Sequence, residues 1–268
     1  MTFYDDIRDF YAAYDEASRL EGGPFQLERQ RTRELIERHL PPPPAVVLDV
    51  GGGPGAHARW LAARGYEVHL IDVVPRHVEQ ARQGPPGAPA LASAEVGDAR
   101  ALGRPDVSCD AVLLLGPLYH LTARADRITA LREARRVLRP GGWMFAAAIS
   151  RFASLLDGLV QGIDDPRFSA IVTRDLADGQ HRNPTERIQF FTEAYFHRPE
   201  DLKEETEEAG FGDVALFPIE GLGTVARDFE ERWADDRRRA ELLAWIRSVE
   251  REPSLLGASP HIMAMARR

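Results

Sequence analysis

The chain has 268 residues, 44% of them hydrophobic and 28% charged, a balance that fits one large soluble domain or one domain with a substantial insertion. Its formal net charge of −8 argues against a phosphate-backbone partner, so no nucleic acid is expected. A single cysteine, Cys109, excludes an internal disulfide and a cysteine-rich metal site.

The start, Met1-Thr2-Phe3-Tyr4-Asp5-Asp6, is acidic and has no basic segment followed by an apolar core, so it does not read as a signal peptide. No apolar run approaches the ~20 residues that span a bilayer. A cytoplasmic chain without a membrane partner is expected. Two helices, Tyr4 to Leu20 and Phe25 to Leu40, are predicted on either side of Glu21-Gly22-Gly23-Pro24. Pro41 to Pro44 form a stiff spacer. Val46 to Val50 is a β-branched, apolar run that enters a glycine turn as a buried strand. A helix from Ala56 to Arg64 stops at Gly65, and a strand follows from Tyr66 to Ile71. A helix at Pro75 to Gln83 leads to strands at Ala92 to Val96 and Ala111 to Leu115. Thr122 is placed to cap a helix running to Leu138, which Arg139-Pro140-Gly141-Gly142 breaks before a strand at Trp143 to Ile149. Strands alternating with helices imply right-handed crossovers and a parallel sheet covered on both faces. Residues 150 to 198 carry few strand signals. Beyond them come a helix from Pro199 to Ala209, a strand at Val214 to Pro218, a charged helical stretch from Arg227 to Arg251, and a last strand at His261 to Ala266.

Chemistry concentrates at Asp49-Val50-Gly51-Gly52-Gly53-Pro54-Gly55. A strand, a glycine loop and a helix bring backbone N–H groups to one crevice, and glycine lets a ligand come close. Gly51-x-Gly53-x-x-Ala56 also satisfies the dinucleotide pattern, so an NAD-dependent oxidoreductase is one reading. Three features favour S-adenosylmethionine (SAM). Asp49 precedes the glycines, where a carboxylate repels a pyrophosphate but suits ammonium and sulfonium charges. Asp72 ends the second strand, where an acid accepts from both ribose hydroxyls. Asp98 follows the third strand, where an acid can accept from an adenine amino group.

These stretches together resemble the class I SAM-dependent methyltransferases, of the small-molecule type, from Val46 to about Ile149 and more weakly through Phe211 and the final strand. Val47 to Gly55 resembles the family's first motif, and Leu70-Ile71-Asp72 its ribose-binding strand end. Gly97-Asp98-Ala99 resembles its adenine motif, Cys109 to Leu115 its fourth strand, and Leu138 to Trp143 the turn before its fifth. The resemblance implies a doubly wound, Rossmann-like α/β sheet of seven strands in the order 3-2-1-4-5-7-6, the last antiparallel. It implies that Gly51, Gly53 and Gly55 border the methionine part of SAM. Asp72 and Val73 then face the ribose, Asp98 and Ala99 the adenine, and Leu115 and Gly116 the methyl. Phe10 to Leu20 resembles the leading helix of many such enzymes, which implies a lid in which Arg19 pairs with the SAM carboxylate and Tyr11 or Tyr14 closes over the donor. One domain then divides into a lid (1–44), a SAM-binding core (45–149), a variable cap (150–198) and the C-terminal part of the core (199–268).

SAM carries its own activated methyl, so a general base is needed only if the acceptor must lose a proton. The best candidate base is His120, just past the fourth strand, where ligands bind in open α/β sheets. The acceptor is expected to be a small molecule methylated on O or N and held by Tyr11, Tyr119, His120, Arg151, Phe152, His181, Tyr195 and His197. The product would be S-adenosylhomocysteine (SAH). No histidine shares metal-ligand spacing with nearby acids, so no metal is expected. A monomer or a homodimer fits the sequence equally well. A SAM-binding regulatory or scaffold protein without transfer activity is the alternative from another class.

Overall fold

The computed structural model describes residues 7–8, 10–12, 14–185 and 187–268; the acidic start and the beginning of the leading helix, from Tyr4, lie outside the described residues. A mixed sheet of seven strands organises the chain. β1 (Val46–Val50), β2 (Glu67–Asp72), β3 (Ser93–Val96), β4 (Cys109–Leu114) and β5 (Leu138–Ile149) run parallel. β6 (Gln180–His181) and β7 (Ala194–Tyr195) form a separate small hairpin. β8 (Gly212–Pro218) and β9 (His261–Arg267) complete the main sheet in the order β3-β2-β1-β4-β5-β9-β8, with β9 antiparallel to both neighbours. This is the arrangement expected from the sequence, with β8 and β9 as its sixth and seventh strands.

The apolar runs explain the layering. Side chains alternate across a strand, so a strand covered on both faces must be apolar throughout. Leu48, Val50, Val112 and Leu114 face one side, against Ala130, Leu131 and Ala134 of the helix Arg124–Val137. Val47, Ala111 and Leu113 face the other, with Leu35, Ile36, Leu61 and Val78 from three further helices. Leu113 and Leu114 are fully buried, which contributes roughly 1.5–3 kcal/mol each relative to exposure.

Several boundaries differ from the sequence expectation. Arg139-Pro140-Gly141-Gly142 belongs to β5 rather than to a turn before it, because Gly141 N–H and Gly142 C=O bond to Arg268 at the end of the sheet. Thr122 does not cap the helix, which starts at Arg124. Instead, the guanidinium of Arg127 reaches back to the carbonyls of Leu121 and Thr122, both at 2.9 Å. The N-terminal helix is interrupted: residues 10–12 are helical and a short turn of helix resumes at Glu16–Arg19. The C-terminal charged stretch divides into helices Phe229–Ala234 and Asp236–Val249. The cap contains two helices, Ala153–Gln161 and Pro166–Asp178. Because β9 runs antiparallel, its first residue, His261, meets the carboxyl end of β5 at Ile149.

Candidate active site

Gly51, Gly53 and Gly55 take φ values of +69°, +55° and +93°, which a β-carbon would strain. Space also requires glycine at the floor. A β-carbon on Gly51 would lie 2.5 Å from Pro117 Cδ, and one on Gly52 would lie 2.8 Å from the Asp49 carboxyl. Gly55 serves a different purpose: its open side faces Ala81 and Leu70, so it packs the loop on the sheet and does not face the ligand space.

The loop and the carboxyl ends of β1, β2 and β4 wall a cavity of about 590 Å³. Asp49, Gly51, Gly53, Asp72 and Val73 line it, and so do Asp98, Ala99, Leu115 and Gly116. Asp49 is 1% exposed, and neither of its oxygens has a hydrogen-bond partner. Burial, then the neighbouring charge of Asp72, pushes its pKa up to about 7, against a weak pull from the Ala58 N–H. Asp72 is better satisfied. It accepts from Gly53 N–H and Val74 N–H, each at 2.8 Å, and so ties the end of β2 to the loop. Asp98 is held by Arg100, whose Nη2 lies 2.9 Å from it while Nη1 reaches Asp126 at 2.8 Å.

The lid residues are placed unevenly. Tyr11 lines the cavity, and its hydroxyl shares a 2.9 Å hydrogen bond with His120 Nε2. Tyr14 does not line it; its ring stacks on Phe10 with centroids 5.4 Å apart. Arg19 lines the cavity but is committed elsewhere. Its guanidinium binds Glu28 through two hydrogen bonds of 2.6 and 2.9 Å and Glu16 through one of 2.9 Å. This corrects the expectation of an arginine waiting for a carboxylate.

His120 is 8% exposed, and burial pushes its pKa down to about 4, against the opposing charge of Asp72. It is therefore neutral at pH 7, but its basicity is low and Tyr11 uses Nε2. Tyr119 lines the same wall, its hydroxyl 3.6 Å from where a β-carbon on Gly116 would stand.

The other five residues expected to face substrate lie away from the cavity, because each is engaged by partners in the cap or in the elements packed against it. His181 bonds Asp175 at 2.9 Å and the Phe190 carbonyl at 2.8 Å. His197 lies 3.3 Å from Glu205. Arg151 donates to the Phe196 carbonyl at 2.8 Å and reaches Tyr195 and Asp201. Tyr195 lies under the Arg127 guanidinium, 3.7 Å from ring centroid to Cζ. Phe152 packs against Gly257, where a β-carbon would clash with its ring at 2.8 Å.

Sequence reasoning missed four groups that line the cavity. Glu28 and Arg33 come from the helix Phe25–Glu37, His57 from the helix after the loop, and His261 from the start of β9. Arg33 Nε and His57 Nδ1 are buried without partners. Burial, then the Arg33 charge, pushes His57 down to about 3. His261 Nδ1 lies 2.6 Å from Glu220, which also accepts from the Ser259 hydroxyl at 2.8 Å. Burial disfavours the His261 imidazolium, but Glu220 and then Glu28 outweigh it and lift the pKa to about 9. Burial likewise opposes ionisation of Glu28, yet the Arg19 charge holds its carboxyl well below the usual range. Ligand atoms of Glu28, Glu220 and His261 lie within 4.8 Å of one another, a metal-competent set that sequence spacing concealed. Arg19 and the imidazolium proton already compensate both carboxylates. Among the described residues no helix is long and apolar enough to cross a membrane.

Comparison with known proteins agrees with this geometry. A family model described as a methyltransferase domain matches residues 47–142. The chain is 36% identical over 124 residues to the malonyl-[acyl-carrier protein] O-methyltransferase of Methylococcus capsulatus, covering 45% of this chain and 44% of the relative. It is 35% identical over 127 residues to a ubiquinone/menaquinone biosynthesis C-methyltransferase of Caulobacter sp., covering 44% and 49%. The match thus spans less than half the length of these relatives. The crystal structure of a SAM-dependent methyltransferase from Mesorhizobium loti superposes with a TM-score of 0.58 at 18% identity, over 90% of this chain and all of that one. With the sheet order, the glycine loop and the unpartnered Asp49 in place, the chain is similar to SAM-dependent methyltransferases over residues 47–142 and shares their fold.

Proposed function

We propose that the protein transfers a methyl group from SAM to an O or N atom of a small-molecule acceptor. The observation that carries the donor half is Asp49, a carboxylate with no partner, buried in a glycine-walled cavity where a dinucleotide pyrophosphate would meet like charge. Its free oxygens suit the SAM ammonium. Arg33 Nε and His57 Nδ1, also without partners, suit the methionine carboxylate, a role that the paired Arg19 leaves open. Asp72 retains lone pairs for the ribose, and Val73 and Ala99 flank the adenine, with Asp98 sharing its oxygens with Arg100.

Bound SAM supplies a methyl group activated by its sulfonium. The chain's own contribution is alignment and exclusion of water. Tyr11, Tyr119 and His120 enclose the side of the cavity next to Leu115 and Gly116, and the Tyr11–His120 bond holds the leading helix over it. We assign His120 a positioning role, because burial keeps it a weak base. The cavity size favours a small acceptor over a polymer. Incubation with methyl-labelled SAM and a metabolite pool is the test. Label must appear in a small product; tight SAM binding with no transfer to any component would leave the scaffold reading in its place.

A further inference from the structure

Hydrogen-bond accounting of the cavity separates groups that are satisfied from groups that await a ligand. The acceptor groups are nearly all satisfied. Asp72 is paired with two backbone N–H groups, Glu16 and Glu28 with Arg19, and Glu220 with Ser259 and His261. Asp49 is the exception, and the donor half of the reading above uses it. Arg33 and His57 are used there too. Three groups at the acceptor end have no hydrogen bond to any described residue: His120 Nδ1, which is buried, and two more exposed donors, the Tyr119 hydroxyl and His261 Nε2. Tyr119 follows β4, and His261 opens β9 beside the end of β5, so both stand at the same carboxyl edge of the sheet.

We propose that Tyr119 and His261 form the acceptor subsite, and that it takes a small carboxylic acid whose carboxylate oxygen receives the methyl. The inference rests on SAM being the donor. An acceptor oxygen satisfies both donors at once, whereas an ammonium could pair only with the Tyr119 oxygen and would leave the His261 N–H unpaired. The negative charges nearby do not oppose this strongly. Glu28 is neutralised by a two-bond pairing with Arg19, and Glu220 by the His261 imidazolium.

The cavity histidines favour a carboxylate over a hydroxyl: His77 faces Asp72 at 3.5 Å on the ribose side, and the others are poor proton acceptors. A phenol, an alcohol or an ammonium must lose a proton before or during attack. His120 is a weak base with Nε2 occupied, His57 is weaker still, and His261 already carries its proton at neutral pH. A carboxylic acid is ionised at pH 7 and needs none of them. In the step, a lone pair on the carboxylate oxygen forms the O–CH₃ bond. The S–CH₃ bond breaks with its electron pair staying on sulfur, giving a methyl ester and SAH, and no proton moves.

Ligand-observed NMR on the full chain saturated with SAH provides the test, with phenylacetate, 2-phenylethanol and 2-phenylethylamine as near-isosteric probes. Phenylacetate is expected to bind at least about tenfold more tightly than either partner, corresponding to about 1.4 kcal/mol. That preference should vanish in Tyr119→Phe, which removes one oxygen and leaves the ring, and in His261→Gln. No preference, or a preference for the amine or the alcohol, overturns the inference. Transfer from methyl-labelled SAM to pooled acids, amines and phenols gives a second readout. Label released by alkali as methanol marks a methyl ester, and label that alkali does not release overturns the inference. Calorimetry with SAH alone separates the two levels. A chain that binds no SAH fails the donor reading, whereas SAH binding without carboxylate preference fails only this subsite.

Discussion

Asp49 combines two costs that a purely structural residue would avoid: it is buried, and its carboxylate has no hydrogen bond. Its pKa of about 7 means that the ligand-free protein reaches neutral pH with this carboxyl part-protonated. A cationic ligand recovers that cost by pairing with the charged form. SAM affinity should therefore rise as pH rises through about 7, by roughly tenfold between pH 6 and pH 8, since the ionised fraction changes by that factor. Asp49→Asn should flatten the difference between those two pH values, and calorimetry at both checks it. The same substitution should stabilise the ligand-free chain at pH 8 by about 2–4 kcal/mol in urea unfolding, because a folded-state pKa raised from 3.8 to about 7 lowers stability above pH 3.8. An Asn variant that loses stability would mean that Asp49 has a structural partner after all.

The helices that cover the sheet show where reading from sequence succeeds and where it stops. β1, the glycine loop and the acid at the end of β2 are legible because each is a contiguous pattern: an apolar run, glycines at positions needing positive φ, and an acid at a strand end. Glu28, Glu220 and His261 form no pattern. They lie on a helix, a loop and the last strand, and only the antiparallel insertion of β9 between β5 and β8 brings them together. His261 had one available signal: the first residue of an antiparallel last strand must lie at the carboxyl edge of its parallel neighbour. The cap residues misled for the converse reason. Aromatic and basic side chains look alike in sequence whether they face a substrate or one another: His181 faces Asp175 within the cap, and His197 and Arg151 face Glu205 and Asp201 of the neighbouring helix Pro199–Glu208. The clearest case joins the helices Arg124–Val137 and Pro199–Glu208. Arg127 is 1% exposed and bonds both oxygens of Glu205, at 2.9 and 2.6 Å, while His197 approaches the same carboxylate. Glu205→Ala leaves a buried guanidinium without its counter-charge and should cost about 3–5 kcal/mol in chemical denaturation. Replacing Arg127 and Glu205 together by Met and Leu should cost less than Glu205→Ala alone. A larger loss in the double variant would show that packing rather than charge dominates there.

Across the molecule, the buried histidines set opposite limits on stability. His57 and His120 have folded pKa values of about 3 and 4, below their ordinary 6.5, so their burial favours folding above pH 6.5 and loses that effect as pH falls toward those values. His261 is raised to about 9, so its pairing with Glu220 and Glu28 favours folding fully below pH 6.5 and is lost as pH rises through 9. Asp49 works against the first pair, because its raised pKa lowers stability between pH 3.8 and 7, but it is one group against two. Stability of the ligand-free chain should therefore be greatest near pH 7 and lower at both pH 5.0 and pH 9.5, as measured by urea unfolding at constant ionic strength. The alkaline decline should disappear in His261→Gln, which has no proton to lose, while the acid decline should persist in that variant. An unchanged alkaline decline would place its origin elsewhere. A profile with no decline between pH 7 and 9.5 in the parent chain would mean that His261 is neutral at the start, and the imidazolium that compensates Glu220 at the acceptor end of the cavity would then be absent under working conditions.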